Sequence, residues 1–300
     1  MKVLSLLLIL LLSACAIGAE QCALEPAGVL PVRLIGNVPV TVVGINGRPS
    51  ALILDIGSDI TLLGRAAARR LGVRFDEREG VQLSGAGGRA RASPAVLASV
   101  QFGDAVVSNV SAVVGRGLRP PFDGVLGIDV LTAFDLDLDA PNGKVTLYRA
   151  RPPACAGAPP PWTEPQVRLR TEQEGAGYLF VPAVLNGQPL RALLDTGASN
   201  TTVGLPAAAA AGITPAELLR GPASVTQSLD SAGIVVRPRR FRELRVGEDV
   251  ILDPVLNVAD LPPLAGDMII GGDYLAARRV WIAITSGTVF VTKPGQPRPR

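Results

Sequence analysis

The chain has no histidine among its 300 residues. That absence removes Ser-His-Asp and Cys-His nucleophile systems, and with them His-ligated zinc motifs such as H-E-x-x-H. No G-x-x-x-x-G-K-[ST] segment occurs, so a Walker-type phosphate loop is excluded as well. Charge of one sign is also scarce. The formal net charge of +3 is too small to point to nucleic acid. Arg237, Arg239, Arg240, Arg242 and Arg245 do cluster, but a lone Phe241 among them falls short of the repeated aromatic and basic pattern of a nucleic-acid groove. They read as a solvated strand face or an anionic surface contact. Any catalysis must therefore rest on carboxylates, Ser/Thr, Lys or Tyr, with no metal and no cofactor called for by a motif.

What is present is a globular composition. Apolar residues make up 48% and charged residues 18%, enough for a large core divided between two compact units. Gly (33) and Pro (26) fit many strands joined by turns. The N-terminus begins Met1-Lys2 and continues from Val3 to Leu12 with only Ser5 polar, like the h-region of a signal peptide and too short to span a bilayer. Leu12-Ser13-Ala14-Cys15 follows, and small residues before a cysteine at this place resemble the lipobox of bacterial lipoproteins. The resemblance implies lipidation at Cys15. With Ala16 rather than Asp next, it implies a periplasmic protein anchored to the outer membrane; ordinary cleavage after Ala19 is the alternative. Either way two cysteines remain, Cys22 and Cys155. In an oxidising compartment they are expected to form one disulfide, and closing so long a loop contributes roughly 4–5 kcal/mol in the chain-entropy model. Two unpaired thiols are the alternative.

An internal repeat organises the rest. Asn46-Gly47-Arg48-Pro49, Ser50 to Leu54 and Asp55-Ile56-Gly57-Ser58-Asp59 are answered 140 residues later by Asn186-Gly187-Gln188-Pro189, Leu190 to Leu194 and Asp195-Thr196-Gly197-Ala198-Ser199. The offset continues through Thr61/Thr201, Gly64/Gly204 and Gly72/Gly212. Val125-Leu126-Gly127-Ile128-Asp129 answers Ile269-Ile270-Gly271-Gly272-Asp273 at an offset of 144, as Phe102-Gly103-Asp104 answers Val246-Gly247-Glu248. Val38 to Ile45 and Leu179 to Leu185 read as strands, and the Asn-Gly pairs after them as hairpin turns. Short helices are predicted over Arg65 to Leu71 and Pro206 to Ala211, each ending at a glycine, and Thr214-Pro215-Ala216-Glu217 has capping-box spacing. The expected organisation is a signal segment over 1–19, a first lobe over 28–150, a Pro-rich linker over 151–165, a second lobe over 166–293 and a disordered tail over 294–300.

A lone Asp-Thr-Gly is weak evidence, because Asp and Gly are ordinary turn residues. Here the tripeptide follows an apolar strand, is followed by an apolar-apolar-Gly segment, and has a counterpart in the other half. At these residues the chain resembles the bacterial retropepsin-like aspartic peptidases, whose pattern is apolar-apolar-Asp-[Thr/Ser]-Gly-[Ala/Ser] and later apolar-apolar-Gly. The resemblance implies a mainly β fold: two β-barrel lobes related by pseudo-two-fold symmetry, with a few short helices. It implies that Asp55 and Asp195 form a catalytic pair sharing one proton. Gly57, Ser58, Thr196, Gly197 and Ala198 would form the supporting loops, and Gly127 and Gly271 the second motif. The implied partner is a peptide or protein substrate, bound by a monomer with dimer-like lobes; a homodimer of second lobes, and a non-catalytic partner-binding protein, remain alternatives. Flap tips are expected at Gly85, Gly87 and Gly88 in the first lobe and from Ser231 to Gly233 in the second.

The departure from the pattern is Ile56, where the family has Thr or Ser. Thr196 is expected to bond across the two-fold axis, and the missing hydroxyl at position 56 would leave it short of a partner, at about 1–3 kcal/mol if buried. Among the other acids, Asp129 and Asp273 read as helix N-caps. Asp59 reads as a turn or cleft-rim residue, and the alternating Asp135, Asp137 and Asp139 as the exposed face of a strand.

Overall fold

The computed structural model of the protein describes residues 24–85, 88–116, 118, 120–149, 157–220, 222–227 and 233–293. Cys15, Cys22, Cys155, Gly87, Ser231 and the tail 294–300 lie outside them.

The first lobe opens with β1 (Pro26–Ile35), β2 (Val38–Ile45) and β3 (Arg48–Leu54). The β2–β3 turn is Asn46-Gly47, with φ of 49° and 76°, the pair of left-handed residues that a two-residue I′ hairpin requires. Next come β4 (Leu62–Gly64) and α1 (Arg65–Arg70), which stops before Gly72. A hairpin of β5 (Val81–Gly85) and the long β6 (Gly88–Phe102) follows, then β7 (Ala105–Gly115), β8 (Gly124–Leu126), α2 (Ile128–Leu131), β9 (Phe134–Asp139) and β10 (Lys144–Arg149).

The second lobe repeats the order. After β11 (Gln166–Leu169) and β12 (Glu172–Glu174), β13 (Tyr178–Leu185) and β14 (Gln188–Leu194) enclose Asn186-Gly187, again with positive φ. Then come β15 (Thr202–Gly204), α3 (Leu205–Ala210) and α4 (Pro215–Leu219). The last carries a complete capping box: Thr214 accepts from the Glu217 amide while the Glu217 carboxylate takes the Thr214 amide. The hairpin β16 (Ser224–Gln227) and β17 (Gly233–Arg240), then β18 (Glu243–Val246), β19 (Asp249–Leu252), β20 (Val255–Ala259), β21 (Met268–Ile270), α5 (Gly272–Leu275), β22 (Arg279–Ala283) and β23 (Thr288–Thr292) complete it. The fold is mainly β, in two lobes on one plan.

The lobes are joined edge to edge. β9 runs antiparallel to β22, with Asp137 opposite Trp281. Outward from that pair lie β10 and β1 on one side and β23 and β11 on the other, so both lobes contribute three strands to one shared sheet. This arrangement corrects the expectation that Asp135, Asp137 and Asp139 form an exposed face: they are 2%, 1% and 3% exposed. Leu136 and Leu138 face the main core, while Trp162, Trp281 and Tyr148 cover the other side. Asp137 accepts from Arg279 at 2.7 and 2.9 Å and from the Trp162 indole at 3.2 Å, and Asp139 accepts from Asn142. Alternation of Leu and Asp marks a water-facing side only when nothing packs on it, and here Trp162 of the linker and Trp281 of the second lobe join Tyr148 in covering it.

Candidate active site at the lobe junction

β3 ends at Asp55 and β14 at Asp195, and a parallel neighbour fixes where each strand stops. The Asp55 amide donates to Leu126 O on β8 and the Asp195 amide to Ile270 O on β21, both at 3.0 Å. The glycine after each of those apolar pairs is dictated by crowding. A Cβ on Gly127 would lie 2.7 Å from the Ile60 carbonyl carbon, and one on Gly271 2.7 Å from that of Asn200. Beyond them Ile128 N donates to Ser58 O and Gly272 N to Ala198 O, fastening each Asp-x-Gly loop to its second motif.

The two loops meet face to face. A Cβ on Gly57 would stand 2.3 Å from Cγ of Asp195, and a Cβ on Gly197 2.3 Å from Cγ of Asp55. Any larger residue at either glycine would drive the opposite carboxyl group away. Each aspartate also accepts from the amide two residues on, at 2.8 Å, and the two carboxyl groups are close enough to perturb one another. A family model described as aspartyl protease matches residues 38–130 and 181–274, one segment per lobe. The chain belongs to the aspartyl protease family. A comparison with curated proteins gave no match.

Electrostatics in this aspartyl protease pair are unequal. Asp55 is buried, and desolvation first, then the charge of Asp195, pushes its carboxyl well above the ordinary value of 3.8. Asp195 is raised too, by burial, but its bond to Asp55 and the amides of Ala198 and Gly197 favour its charged form. The two carboxyl groups therefore titrate as one pair that holds a proton above the ordinary aspartate range.

Thr196 behaves differently from the expectation set by Ile56. It is 2% exposed; its hydroxyl donates to Leu54 O at 2.7 Å and accepts from the Ile56 amide at 3.1 Å. Both partners are backbone groups of the opposite loop, so Thr196 is satisfied whatever side chain occupies position 56. Ile56 itself is buried in the main core.

Ser58 turns its hydroxyl to Ile60 O rather than to the dyad, and Asp59 is exposed at the loop edge. Asp129 and Asp273 are corrected from the N-cap reading. The cap positions are Gly127 and Gly271, and the carboxylates instead accept from the amide and hydroxyl of Thr61 and Thr201. Those hydroxyls in turn accept from Gly127 N and Gly271 N, so the two threonines brace the site. The repeat marks both threonines, but their role needs the loop crossing. Two cross-lobe contacts were also missed. Asn37 donates to Ser199 O at 3.3 Å, and the Tyr178 phenol stands near the carboxylates of Asp59 and Asp55. Burial and the nearby carboxylates of Asp59, Asp55 and Asp195 push the Tyr178 phenol up to about 12, so it stays neutral. Each expected flap is a hairpin, pairing Gly85 with Gly88 in the first lobe and Gln227 with Gly233 in the second.

Proposed function

We propose that this protein is an aspartic endopeptidase in which Asp55 and Asp195 activate one water molecule. The observation that supports the reading best is the reciprocal packing of each carboxyl group against the opposite lobe's Asp-x-Gly glycine. Asp195 accepts from the Gly197 and Ala198 amides where Asp55 accepts from Gly57, and in this reading it is the charged member: it takes a proton from water as the water oxygen adds to the scissile carbonyl carbon. Asp55 gives its proton to the carbonyl oxygen, so no free oxyanion forms. The tetrahedral diol then collapses: the C–N bond breaks, the leaving nitrogen takes the proton held by Asp195, and Asp55 recovers one from the hydroxyl. No covalent intermediate is formed. The substrate is an extended peptide lying between the lobes under the hairpins 81–92 and 224–236.

The same proposal places the chain outside the cytoplasm as a periplasmic monomer, lipid-anchored to the outer membrane through Cys15, with Cys22 joined to Cys155. Its substrates are then exported or envelope proteins. Lobe limits of 28–150 and 166–293 belong to this reading.

Cleavage of a peptide library tests it. Asp55→Asn and Asp195→Asn should each lower kcat/KM by at least about 100-fold. If only Asp195→Asn is inactive, two copies pair their second lobes instead. If the unmodified chain cleaves nothing between about pH 3 and 7, the protein is a non-catalytic partner-binding member of its family.

A further inference from the structure

Because both lobes follow one plan, a feature that only one lobe carries is not required by the fold. The long ribbon of each lobe gives the sharpest contrast. In the first lobe it is β6 and β7, and in the second it runs from β17 through β20. The match is structural: the turn glycines Gly103 and Gly247 both have φ of 58°, and Asn109 and Asp253, 144 residues apart, have φ of 54° and 50°. At the positions of Arg237, Arg239, Arg240, Arg242 and Arg245, the first lobe has Ser93, Ala95, Val96, Ala98 and Gln101, none of them charged. Where the first lobe exposes Ser108 and Ser111, the second exposes Leu252 at 68% and Val255 at 55%. Val250 stands where the first lobe exposes Val106, and Arg240 where it exposes Val96, so the second lobe has gained the cations and has exposed aliphatics at two new positions beside them. Arg245 stands opposite Val250 and Arg240 opposite Val255 in the strand register.

Not every charge there is available. Arg239 is spent on the carbonyls at the end of α4, and Glu243 holds Arg245 in an ion pair. Arg240 also donates to Asp253 O, and Glu248 and Asp253 lie on the same ribbon. A plain polyanion has no use for solvent-exposed leucine and valine. A lipid interface uses both kinds of group: aliphatic side chains enter the acyl boundary while guanidinium groups meet phosphates beside them.

Placement agrees. The Arg242 amide donates to Asn186 at the start of β14, and the dyad lies at the other end of that strand, roughly 20–25 Å away.

We propose that the second-lobe ribbon, through Arg240, Arg242, Arg245, Val250, Leu252 and Val255, docks on an anionic lipid headgroup surface and keeps the cleft turned away from it. The inference rests on the membrane location proposed above and not on peptidase activity. The test uses the exported chain carrying Cys15→Ser, sedimented with vesicles of phosphatidylcholine with or without phosphatidylglycerol. Binding should require the anionic lipid and weaken with salt. Arg240→Gln/Arg242→Gln/Arg245→Gln should lower partitioning at least about tenfold, since each basic residue near such a surface contributes comparably. Leu252→Ser/Val255→Ser, which installs the first-lobe residues, should lower it too. Both variants should keep the parent's unfolding midpoint and its cleavage of a soluble peptide, whatever that rate is. Equal partitioning of parent and variants, equal binding to neutral vesicles, or retention on polyaspartate without vesicle binding would each overturn the proposal.

Discussion

Replacing Thr196 by valine isolates the threonine hydroxyl that crosses between the two Asp-x-Gly loops. Valine keeps the shape of threonine, so packing around the site is preserved and only the hydroxyl is lost. Two buried backbone groups then lose a partner: Leu54 O, held at 2.7 Å, and the Ile56 amide, held at 3.1 Å. Each such loss costs about 1–3 kcal/mol, while the added methyl contributes under about 1 kcal/mol of burial. The net effect should be a destabilisation of roughly 2–4 kcal/mol. With a urea slope near 3 kcal/mol/M for a chain of this size, the unfolding midpoint should fall by about 1 M. Cleavage should suffer more than stability, because the same bonds set the spacing of Asp55 and Asp195, and kcat/KM should drop by about 100-fold. Thr196→Ser keeps the oxygen and should stay within about 1 kcal/mol and near the parent rate. A valine variant as stable and as active as the parent would refute the argument, and would mean that the shared sheet alone holds the dyad.

Two further outcomes follow from charge. Asp55 is raised in the folded state, so between its ordinary range and its folded value the native protein holds a proton that the unfolded chain has released. Stability must therefore fall as pH rises through that interval, and Asp55→Asn should flatten this slope and raise the melting temperature at neutral pH, checked by thermal unfolding across pH. The same shifts move the single-proton state upward, so the pH–rate profile should be displaced above the ordinary aspartate range. At the joint between lobes, Asp137→Ala removes the buried partner of Arg279, which is itself 20% exposed and keeps Glu164. A loss of about 3 kcal/mol in denaturant unfolding is expected, at the low end for breaking a buried pair.

Much of the site was legible because its signals are local and occur twice. Asn46-Gly47 and Asn186-Gly187 can each supply two left-handed residues, and the hairpins form where those pairs stand. Thr214 and Glu217 stand at capping-box spacing, and both halves of the box form. Asp55 and Asp195 follow apolar strands at matched positions, so one repeat offset was enough to set them side by side as candidates.

What remained depended on which distant surfaces came together. Nothing near Asp137 in the chain announces Arg279 or Trp162, which neutralise and cover it only because β9 finds its neighbour in the other lobe. Asp129 and Asp273 sit at helix starts, yet their bonds go to Thr61 and Thr201, about 70 residues earlier, because each loop crosses behind its own second motif. Ile56 reads as damage while a hydroxyl is assumed to need a hydroxyl opposite it; the partners of Thr196 are backbone groups, which every residue has. Sequence by itself determined the repeated local chemistry, since turns, caps and strand ends depend on neighbours in the chain. Tertiary structure decided which polar groups are buried and what satisfies them, since that depends on contacts between the lobes.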